Sequence, residues 1–519
     1  MRWIEERHEH FAATGHSRDT RCDYEAAYTA DGKVTGLRVQ LLADMGVQTA
    51  ITGWGMAFVT WVCVPGAYKI ENVVTELQAV VTNKCFWQAY RGFGKDAASF
   101  FMNRIMDHVA RAAGLAGHEV RSRNFIDQDE FPFTQVNGTI IDSGNYEGTL
   151  RKALDLVGYE GFRAEQAAAR EEGRFIGLGV GHELTPEGFT MPGSLFAGCD
   201  ATQVRVTPAG EVVVLTGVTS PGGGNETGIA QIVADALGCE LERIRVVQGD
   251  TDLCPVGAGN YSSRSIILGG SAALLAAGDI REKLVRVASS MLEAGPGDIE
   301  AQDGRLHVRG SPNRSVSFED AVAQVYLHPH GEHMDGVEPG LESMRNFKIG
   351  NVHHTPQRDG RFNTYPTWAN ATAACVVEVD PETGVVRVVR YALVHDSGRL
   401  INPLLAAGQL HGGIMQGIGA TLYEFVSYDD EARPLTESFM DYTVPTAREW
   451  IPLELAHQDT PSPFTPLGTK GVGESGISSP PGAIAAAIED ALPQLDLQLT
   501  ELPFTPSRVW SAIQAAEPR

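Results

Sequence analysis

A single carboxylate stands in a glycine-rich loop near the end of the chain. Glu474 lies in segment 468–482, where glycines occupy positions 468, 471, 473, 476 and 482, and an apolar helical pattern follows over 483–492. Glycine lets the backbone approach a ligand closely, and the free N–H groups of a helix N-terminus attract anions. The pattern is typical of an acid/base group beside a bulky anionic cofactor, although a solvated glutamate in a turn has the same pattern.

Two more glycine-rich segments, 222–227 and 257–270, also precede predicted helices. Their hydroxyl and cationic side chains are Thr227, Ser262, Ser263, Arg264 and Ser265. One such segment is usually only a turn, but three of them indicate a large phosphate-bearing ligand, because backbone N–H groups bind anions. None matches GxxxxGK[ST] or a strand–GxGxxG–helix unit, so neither a P-loop nor a Rossmann site is predicted.

A fourth segment, 88–96, places an arginine and an aromatic ring two residues apart. Arg91 suits a negative charge that develops on oxygen, and Phe93 suits stacking against a planar substrate. A salt bridge for Arg91 and a core position for Phe93 are the alternative for this segment taken alone. The pattern therefore gives candidate substrate contacts.

These segments need a scaffold, and hydrophobic periodicity predicts a mixed α/β chain in two units, 1–165 and 166–519. In the first unit we predict strands over 34–42 and 73–81 and helices over 96–115 and 162–173. In the second we predict strands over 175–182, 202–207, 211–216, 244–248, 375–379, 384–390 and 391–394, and helices over 228–237, 270–288, 412–425 and 482–492. The segment 310–366 is predicted to be a loop that covers a site or contacts a partner.

Composition narrows the class of protein. The chain has 519 residues, 43% apolar and 20% charged, as in an ordinary globular protein, and its net charge of −24 argues against non-specific nucleic-acid binding. No run of 18 apolar residues and no apolar signal core occur, so we expect no membrane span and a cytoplasmic location. The seven cysteines include no CxxC pair, which argues against disulfides, a zinc site or an iron–sulfur cluster in this chain.

Eight short segments together resemble the molybdenum-binding subunit of the xanthine dehydrogenase/aldehyde oxidase family of molybdenum hydroxylases, and they occur in family order. They are WIEERHEH at 3–10, AYRGFG at 89–94, RSRNF at 121–125, GDTD at 249–252, SSRS at 262–265, HDSGRLINP at 395–403, GGIMQGIG at 412–419 and GTKGVGESG at 468–476. The resemblance implies an α+β fold of two mixed α/β molybdopterin-binding subdomains, 1–165 and 166–519.

The resemblance also implies roles for individual residues. Glu474 matches the family's general base, Arg91 the arginine that stabilises charge on the substrate, and Phe93 the aromatic residue that packs against the substrate ring. The matching cofactor-binding residues are Gly92, Gly222, Gly223, Gly224, Asn225, Thr227, Tyr261, Ser262, Ser263, Arg264, Ser265, Lys470, Gly471, Val472 and Gly473. Molybdenum is expected to be held by a pterin dinucleotide, with cytosine as its base, and not by protein side chains.

Four positions depart from the family pattern. Gly223 stands where many relatives have Gln, and Asn225 stands where His is frequent, so we expect a side-chain contact to the pterin to be lost or replaced by backbone. Val59 replaces the Arg of purine-oxidising relatives and is assigned to the substrate site. Gly92 replaces the Cys of carbon monoxide-oxidising relatives, so no copper is expected.

The family's front domain and its iron–sulfur and flavin modules have no counterpart in the sequence. We expect a separate chain to supply the front part, and other subunits to carry the [2Fe–2S] clusters and FAD. The resemblance then implies water-derived hydroxylation of a small N-heteroaromatic substrate. An aldehyde oxidoreductase is the first alternative, and a non-catalytic scaffold subunit is the alternative of another class.

Overall fold

A computed structural model describes residues 2–47, 51–190, 198–353, 358, 361 and 363–516. The helices are α1 (Arg7–Ala13), α2 (Ile51–Val62), α3 (Lys95–Ala113), α4 (Gly117–Asn124), α5 (Tyr146–Val157), α6 (Tyr159–Glu171), α7 (Asn225–Leu237), α8 (Ser271–Met291), α9 (Phe318–Leu327), α10 (Pro403–Leu422), α11 (Pro480–Ala491) and α12 (Pro506–Ala515). A π-helical turn, Ser265–Gly270, leads directly into α8.

The strands are β1 (Thr20–Tyr28), β2 (Val34–Asp44), β3 (Asn72–Val80), β4 (Phe133–Thr134), β5 (Ile140–Ile141), β6 (Phe175–Glu187), β7 (Cys199–Val206), β8 (Val212–Thr216), β9 (Ile244–Val247), β10 (Ile299–Gln302), β11 (Arg305–Val308), β12 (Ser311–Ser317), β13 (Glu342–Lys348), β14 (Thr367–Val379), β15 (Val386–Asp396) and β16 (Leu453–His457). They form sheets in the orders β1-β2-β3, β4-β5, β10-β11-β12, β13-β7-β8-β9 and β16-β15-β14-β6. Three of these sheets are mixed, two are antiparallel, and helices lie between their strands along the chain, so the predicted α+β class is confirmed.

The sheet β16-β15-β14-β6 positions the loop that contains Glu474. Helix α11 packs directly on β6, because Gly177, Gly179 and Gly181 leave the face of β6 that contacts the helix without side chains. A Cβ atom at Gly179 would lie 2.0 Å from the backbone oxygen of Ala483 in α11. Since the helix and the strand are in backbone contact, the start of α11 and the loop before it have a fixed distance from the sheet.

A second apolar core lies between the sheet β13-β7-β8-β9 and helices α7 and α8. Val204, Val212 and Val214 are fully buried on one face of its hairpin, as the alternating pattern predicted. On α8, Ala273, Ala277 and Ile280 occupy the buried stripe that a helical period predicts. This layer carries two of the three glycine-rich segments, before α7 and before α8.

Most predicted elements are confirmed within two or three residues, and the other predictions were wrong in their bounds or their class. Helix α10 begins at Pro403 and not at residue 412, β14 begins at Thr367 and not at residue 375, and β6 ends at Glu187 and not at residue 182. Strands 384–390 and 391–394 form the single strand β15, which a register shift bends opposite Val376 and Val377. The predicted loop 310–366 contains β12, α9 and β13, since its polar residues lie on exposed faces of short elements. Helix α7 begins at Asn225 and not at residue 228, because Gly224 with φ 78° starts it earlier.

The division at residue 165 stays a prediction. The first apolar core contains residues from β2 in the first predicted unit and from β6, β14 and β15 in the second. The two predicted units therefore share buried side chains. Among the described helices, none combines the length and apolar character that crossing a membrane requires.

Candidate active site

The three glycine-rich segments meet at one cavity of about 210 Å³, here called the cradle. Its walls include eight predicted cofactor-binding residues from three loops, namely Gly223, Gly224, Asn225, Ser263, Ser265, Gly471, Val472 and Gly473. Lys470 also lines it. The structure thus brings together residues that are about 250 positions apart in the sequence.

Close backbone approach builds the cradle. A Cβ atom at Gly471 would lie 2.4 Å from Cβ of Ser263 and 2.8 Å from Cδ of Glu187, so only glycine fits there. Ser263 has φ 50°, a left-handed conformation that turns its hydroxyl towards the last loop. The Ser263 hydroxyl accepts a hydrogen bond from the backbone N–H of Glu474 at 3.1 Å. One serine therefore joins the second glycine-rich segment to the third.

The two cations predicted for the cradle are both neutralised within the protein. Arg264 is fully buried and pairs with Asp200, with 3.1 Å between Nη1 and Oδ2. The Lys470 ammonium is buried 3.4 Å from Oδ2 of Asp396 and also donates to Thr460 Oγ1 at 3.1 Å. Arg264 therefore already has a counter-charge within the protein, and its role in cofactor binding stays a prediction, whereas Lys470 offers mainly its backbone to the cradle.

The other predicted cofactor-binding residues do not line the cradle. Thr227 is exposed in the first turn of α7, and a Cβ atom at Gly222 would meet no described atom within 4 Å. The ring of Tyr261 lies 5.0 Å below the Arg264 guanidinium, and Ser262 accepts a hydrogen bond from the N–H of Phe189 at 3.2 Å. Gly92, with φ 99°, belongs to the turn before α3. Their cofactor roles stay predictions.

Glu474 belongs to a buried group of three charges. Its carboxylate forms an ion pair with Lys95 at the start of α3, and the same ammonium lies 3.5 Å from Oε2 of Glu187 at the end of β6. Lys95 is 1% exposed and Glu187 0%, whereas 14% of the Glu474 side chain is exposed. The solvated-turn alternative for Glu474 is wrong, because the carboxylate is held by a buried cation.

Burial sets the protonation of this group. It raises the pKa of Glu187 to about 7, a shift that Lys95 opposes and the charge of Glu474 increases. Burial alone would lower the pKa of Lys95, but Glu187 and Glu474 outweigh it and the pKa is raised. Oε1 of Glu187 is buried and has no hydrogen-bond partner among the described residues. The group therefore contains one fixed cation and two carboxyl groups that share it.

A second buried carboxylate fixes the segment after Glu474. Glu183 on β6 accepts backbone N–H bonds from Gly476 at 2.7 Å, Ser478 at 3.1 Å and Ser479 at 2.8 Å. These N–H groups lie just before α11, where a carboxylate is favourable. Burial nevertheless raises the pKa of Glu183. The loop of Glu474 is thus tied at one side to Ser263 and at the other to Glu183.

Arg91 rests on the glycine face of α10. Its Nη1 donates to Gln416 Oε1 at 3.0 Å, and its Nη2 donates to the backbone oxygen of Gln409 at 2.8 Å. A Cβ atom at Gly413 would lie 3.3 Å from Arg91 Nη2 and 2.3 Å from the backbone oxygen of Ser475. Burial lowers the pKa of Arg91, whereas the charge of Glu474 raises it. The salt-bridge alternative does not describe Arg91, whose partners are neutral.

Phe93 and Val59 were both predicted to contact substrate, and their surroundings differ. Phe93 is half-buried and has φ 47°, and its ring lies 3.2 Å from a Cβ position on Gly55 in α2. Val59, also in α2, is fully buried in the first apolar core. The substrate role of each stays a prediction, and Val59 contributes to packing at this position.

Several residues of the site were missed in the sequence. Lys95 follows Gly94 in the segment of Arg91 and Phe93, and its apolar neighbours on α3 place it on a buried face. Glu183 and Glu187 follow the apolar run 175–181 in a strand whose other polar side chains are His182 and Thr185, and such charges in a buried strand are the signal that could have identified them. The cradle also includes Ser397, Arg399 and Asn402, from a segment quoted only for the resemblance, and Gln409, which lies in none of the quoted segments.

Two family models match the chain, both described as a molybdopterin cofactor-binding domain. One matches residues 1–125 and the other residues 152–451. The chain therefore belongs to the family of molybdopterin-binding large subunits of molybdenum hydroxylases, which includes xanthine dehydrogenase and carbon monoxide dehydrogenase. The family and the pair of molybdopterin-binding domains were predicted correctly.

The chain is similar to relatives whose names give different substrates. The nicotine 6-hydroxylase large subunit of Paenarthrobacter nicotinovorans is 34% identical over 98% of this chain and 61% of that protein. The carbon monoxide dehydrogenase large chain of Hydrogenophaga pseudoflava is 34% identical over 99% of this chain and 63% of its own length. Quinoline 2-oxidoreductase from Pseudomonas putida 86 matches with a TM-score of 0.90 and 34% identity, over 99% of this chain and 64% of that one. The chain thus spans less than two thirds of these relatives.

Proposed function

We propose that this chain forms the molybdenum-cofactor site of a hydroxylase that inserts a water-derived oxygen into an electron-poor C–H bond of an N-heteroaromatic substrate. The convergence of three glycine-rich segments on one cavity, with Glu474 next to the wall residue Gly473, carries the proposal. The names of two relatives contain nicotine and quinoline, which are both N-heteroaromatic compounds, and this supports the proposed substrate class.

The cradle suits part of a pterin dinucleotide. Its volume of about 210 Å³ is below the roughly 300–1,000 Å³ of complete small-molecule sites, so it takes a portion of such a cofactor. Five glycines, at positions 223, 224, 228, 471 and 473, line it, and the N-terminus of the 13-residue helix α7 supplies N–H groups that favour a phosphate. A side chain at Gly471 would meet Ser263 and Glu187, and one at Gly473 would meet Ser263, so glycine at both positions lets the last loop pack closely against Ser263 in the cradle wall.

The chain's own residues supply proton transfer and orientation. When bound, the cofactor supplies the metal centre that takes up two electrons. Glu474 accepts a proton at its partly exposed carboxylate, and its backbone N–H stays fixed on Ser263. Arg91 places a positive charge near Glu474, where it favours negative charge developing on substrate. The glutamines of α10 hold this guanidinium without neutralising it.

Electron transfer requires further redox centres. We assign [2Fe–2S] clusters and FAD to other subunits, which the resemblance implies. One relative, subunit gamma of the 6-hydroxypseudooxynicotine dehydrogenase complex of Paenarthrobacter nicotinovorans, is named as part of a complex and is 34% identical over 99% of this chain and 62% of its own length. The separate chain with the front part and the cytosine dinucleotide stay predictions.

The test is cofactor analysis and turnover of the purified complex. We expect molybdenum and pterin near one per chain, and oxidation of quinoline or a pyridine with oxygen derived from labelled water. Glu474→Gln should retain molybdenum and lose roughly 10²- to 10⁴-fold in kcat/KM, since general base catalysis contributes about that much. Glu431→Gln, which removes an exposed carboxylate, is the matched control and should leave turnover unchanged.

Three results would contradict the proposal. A complete complex without molybdenum would support the scaffold alternative. Turnover of aldehydes with none of quinoline or pyridines would replace the substrate class. Full activity in Glu474→Gln would remove the base assignment.

A further inference from the structure

The buried group around Glu474 contains more ionisable side chains than a single general base needs. A base requires one carboxylate at the reacting atom, yet Glu187 lies behind it with 0% exposure and shares Lys95 with Glu474. Two ionised carboxylates against one ammonium would leave a net negative charge in a buried place, which is costly. The surroundings of the two carboxyl groups must therefore differ, so that one of them is ionised and the other is protonated.

The geometry distinguishes the two carboxyl groups. Glu474 is partly exposed and forms the closer contact with Lys95, whereas Glu187 lies 3.5 Å from the ammonium. Oε1 of Glu187 has no hydrogen-bond partner among the residues that the structure describes, and the backbone of Gly471 packs against this carboxyl group. A proton on Glu187 removes a buried negative charge that Lys95 and the hydroxyl groups of Ser263 and Thr185 stabilise only in part. Glu474 is then the carboxylate that Lys95 stabilises.

We propose that Lys95 and Glu187 are positioning residues that keep Glu474 ionised and oriented, with Lys95 as its counter-ion and Glu187 as a protonated neighbour. The inference rests on the proposed role of Glu474 as the base. In this arrangement the group of three is electrically neutral while Glu474 is ready to accept a proton. Loss of Lys95 would make that proton transfer begin only at higher pH.

Other titratable groups face this site from the surrounding elements. They are Cys63 after α2, Arg91 and Asp96 around the start of α3, Glu183 on β6, and Tyr261 and Tyr365 from neighbouring loops. Burial raises the pKa of Cys63 to about 12, and it raises that of Tyr365 further above its ordinary value, so both stay neutral near pH 7. Arg91 is a second cation near Glu474 and stays charged in every variant below.

The first experiment is the pH profile of kcat/KM in the complete complex. Lys95→Met should move the acidic limb to higher pH by at least one unit, and Lys95→Arg should restore most of the wild-type profile because it keeps the charge. Glu187→Gln should leave the acidic limb at the wild-type pH or move it to lower pH, because Lys95 then pairs with Glu474 alone. Lys69→Met removes a lysine paired with Glu130 near the surface and should change nothing.

The second experiment does not depend on turnover. Infrared difference spectra of the cofactor-free protein across pH 5–9 should show a protonated carboxyl band that disappears near pH 7, and Glu187→Gln should abolish it. A wild-type complex without molybdenum or turnover would refute the proposed function, while the infrared titration would still decide the inference. An unchanged acidic limb in Lys95→Met, or an unchanged band in Glu187→Gln, would overturn it.

Discussion

The cradle and the charged group around Glu474 lie on either side of Ser263 and differ in the groups that form them. The cradle is lined by glycines from two of the three glycine-rich loops and from the helix that follows one of them, and the cations Lys470 in its wall and Arg264 beside it are each paired with a buried aspartate. Around Glu474, three ionisable side chains share one buried space. On the function proposed above, the first region would recognise a ligand by shape and N–H groups, and the second would control a proton.

This difference separates two ways in which a site can fail. A backbone cradle tolerates changes of charge nearby but not added atoms, because its residues are in close contact. The group around Glu474 tolerates isosteric changes in shape but responds to any change in charge. The three predictions below test this contrast through the free energy of unfolding of cofactor-free protein, and where cofactor binding is at issue, through the cofactor content of the complete complex.

The largest effect is expected from substitution of Arg264. If Arg264 binds cofactor, the contrast between the cradle and the group around Glu474 does not hold. Arg264→Met should lower the free energy of unfolding by about 3–5 kcal/mol, because Asp200 is left buried without its counter-charge. The double variant Arg264→Met/Asp200→Leu should recover most of that loss. Urea unfolding measures both, with the exposed pair variant Arg286→Met as a control near zero.

If Arg264 instead holds a cofactor phosphate, the pattern is reversed. The single variant would then lose cofactor with little change in stability, and removal of Asp200 would not rescue binding. That outcome would make the cradle a charged site like its neighbour.

A smaller effect is expected in the pH dependence of stability. The pKa of Glu187 is raised from its ordinary value of 4.5 to about 7 by burial, so the folded protein holds a proton there that the unfolded chain has lost. Its contribution to the free energy of unfolding therefore falls as pH rises from about 4.5 to 7, by up to about 3 kcal/mol. Glu187→Gln should remove this fall.

Glu378→Gln is a control of opposite sign. Arg174 lowers the pKa of Glu378 through a hydrogen bond, so this carboxylate stabilises the fold above its ordinary pKa and loses that contribution as pH falls. The variant should be less stable than the wild type at neutral pH and equal to it in acid. Identical pH profiles for the wild type and Glu187→Gln would show that Glu187 is not protonated in the fold.

The sequence was sufficient to predict that the glycine-rich loops form a cradle, because a glycine indicates close backbone approach whatever residues it contacts in the fold. Glycines at 223, 224, 471 and 473 indicated close approach of backbone, and the structure places them around one cavity. Alternating and helical periods likewise predicted β2, β7, β8 and α3, since each buries one face. Such signals depend on a residue's own segment.

The charges could not be assigned in the same way. Arg264 and Lys470 were visible as cations, but Asp200 and Asp396, which neutralise them, lie more than 60 positions away and carry no local signal. Lys95 and Glu187 are 92 positions apart and meet only because α3 and β6 pack together. The partner of a buried charge is a property of tertiary packing, and one sequence without the fold does not contain it in readable form.

The smallest effect, and the sharpest test of the cradle as a steric site, is expected from Gly471→Ala. The added methyl group would lie 2.4 Å from Cβ of Ser263, and neither backbone can move freely, because Glu474 N–H is bonded to the same serine. Overpacking of this kind costs about 1–3 kcal/mol in the free energy of unfolding.

The same methyl group should also reduce bound molybdenum, because it narrows the space beside Gly473. Gly408→Ala on α10 is the matched control, since nothing lies within 4 Å of its Cβ position and alanine favours a helix by about 1 kcal/mol. We therefore expect Gly408→Ala to keep its cofactor and gain stability. Equal cofactor content in the two variants would mean that the cofactor does not occupy the cradle, and that the backbone contact between Ser263 and Gly471 serves only to hold Glu474.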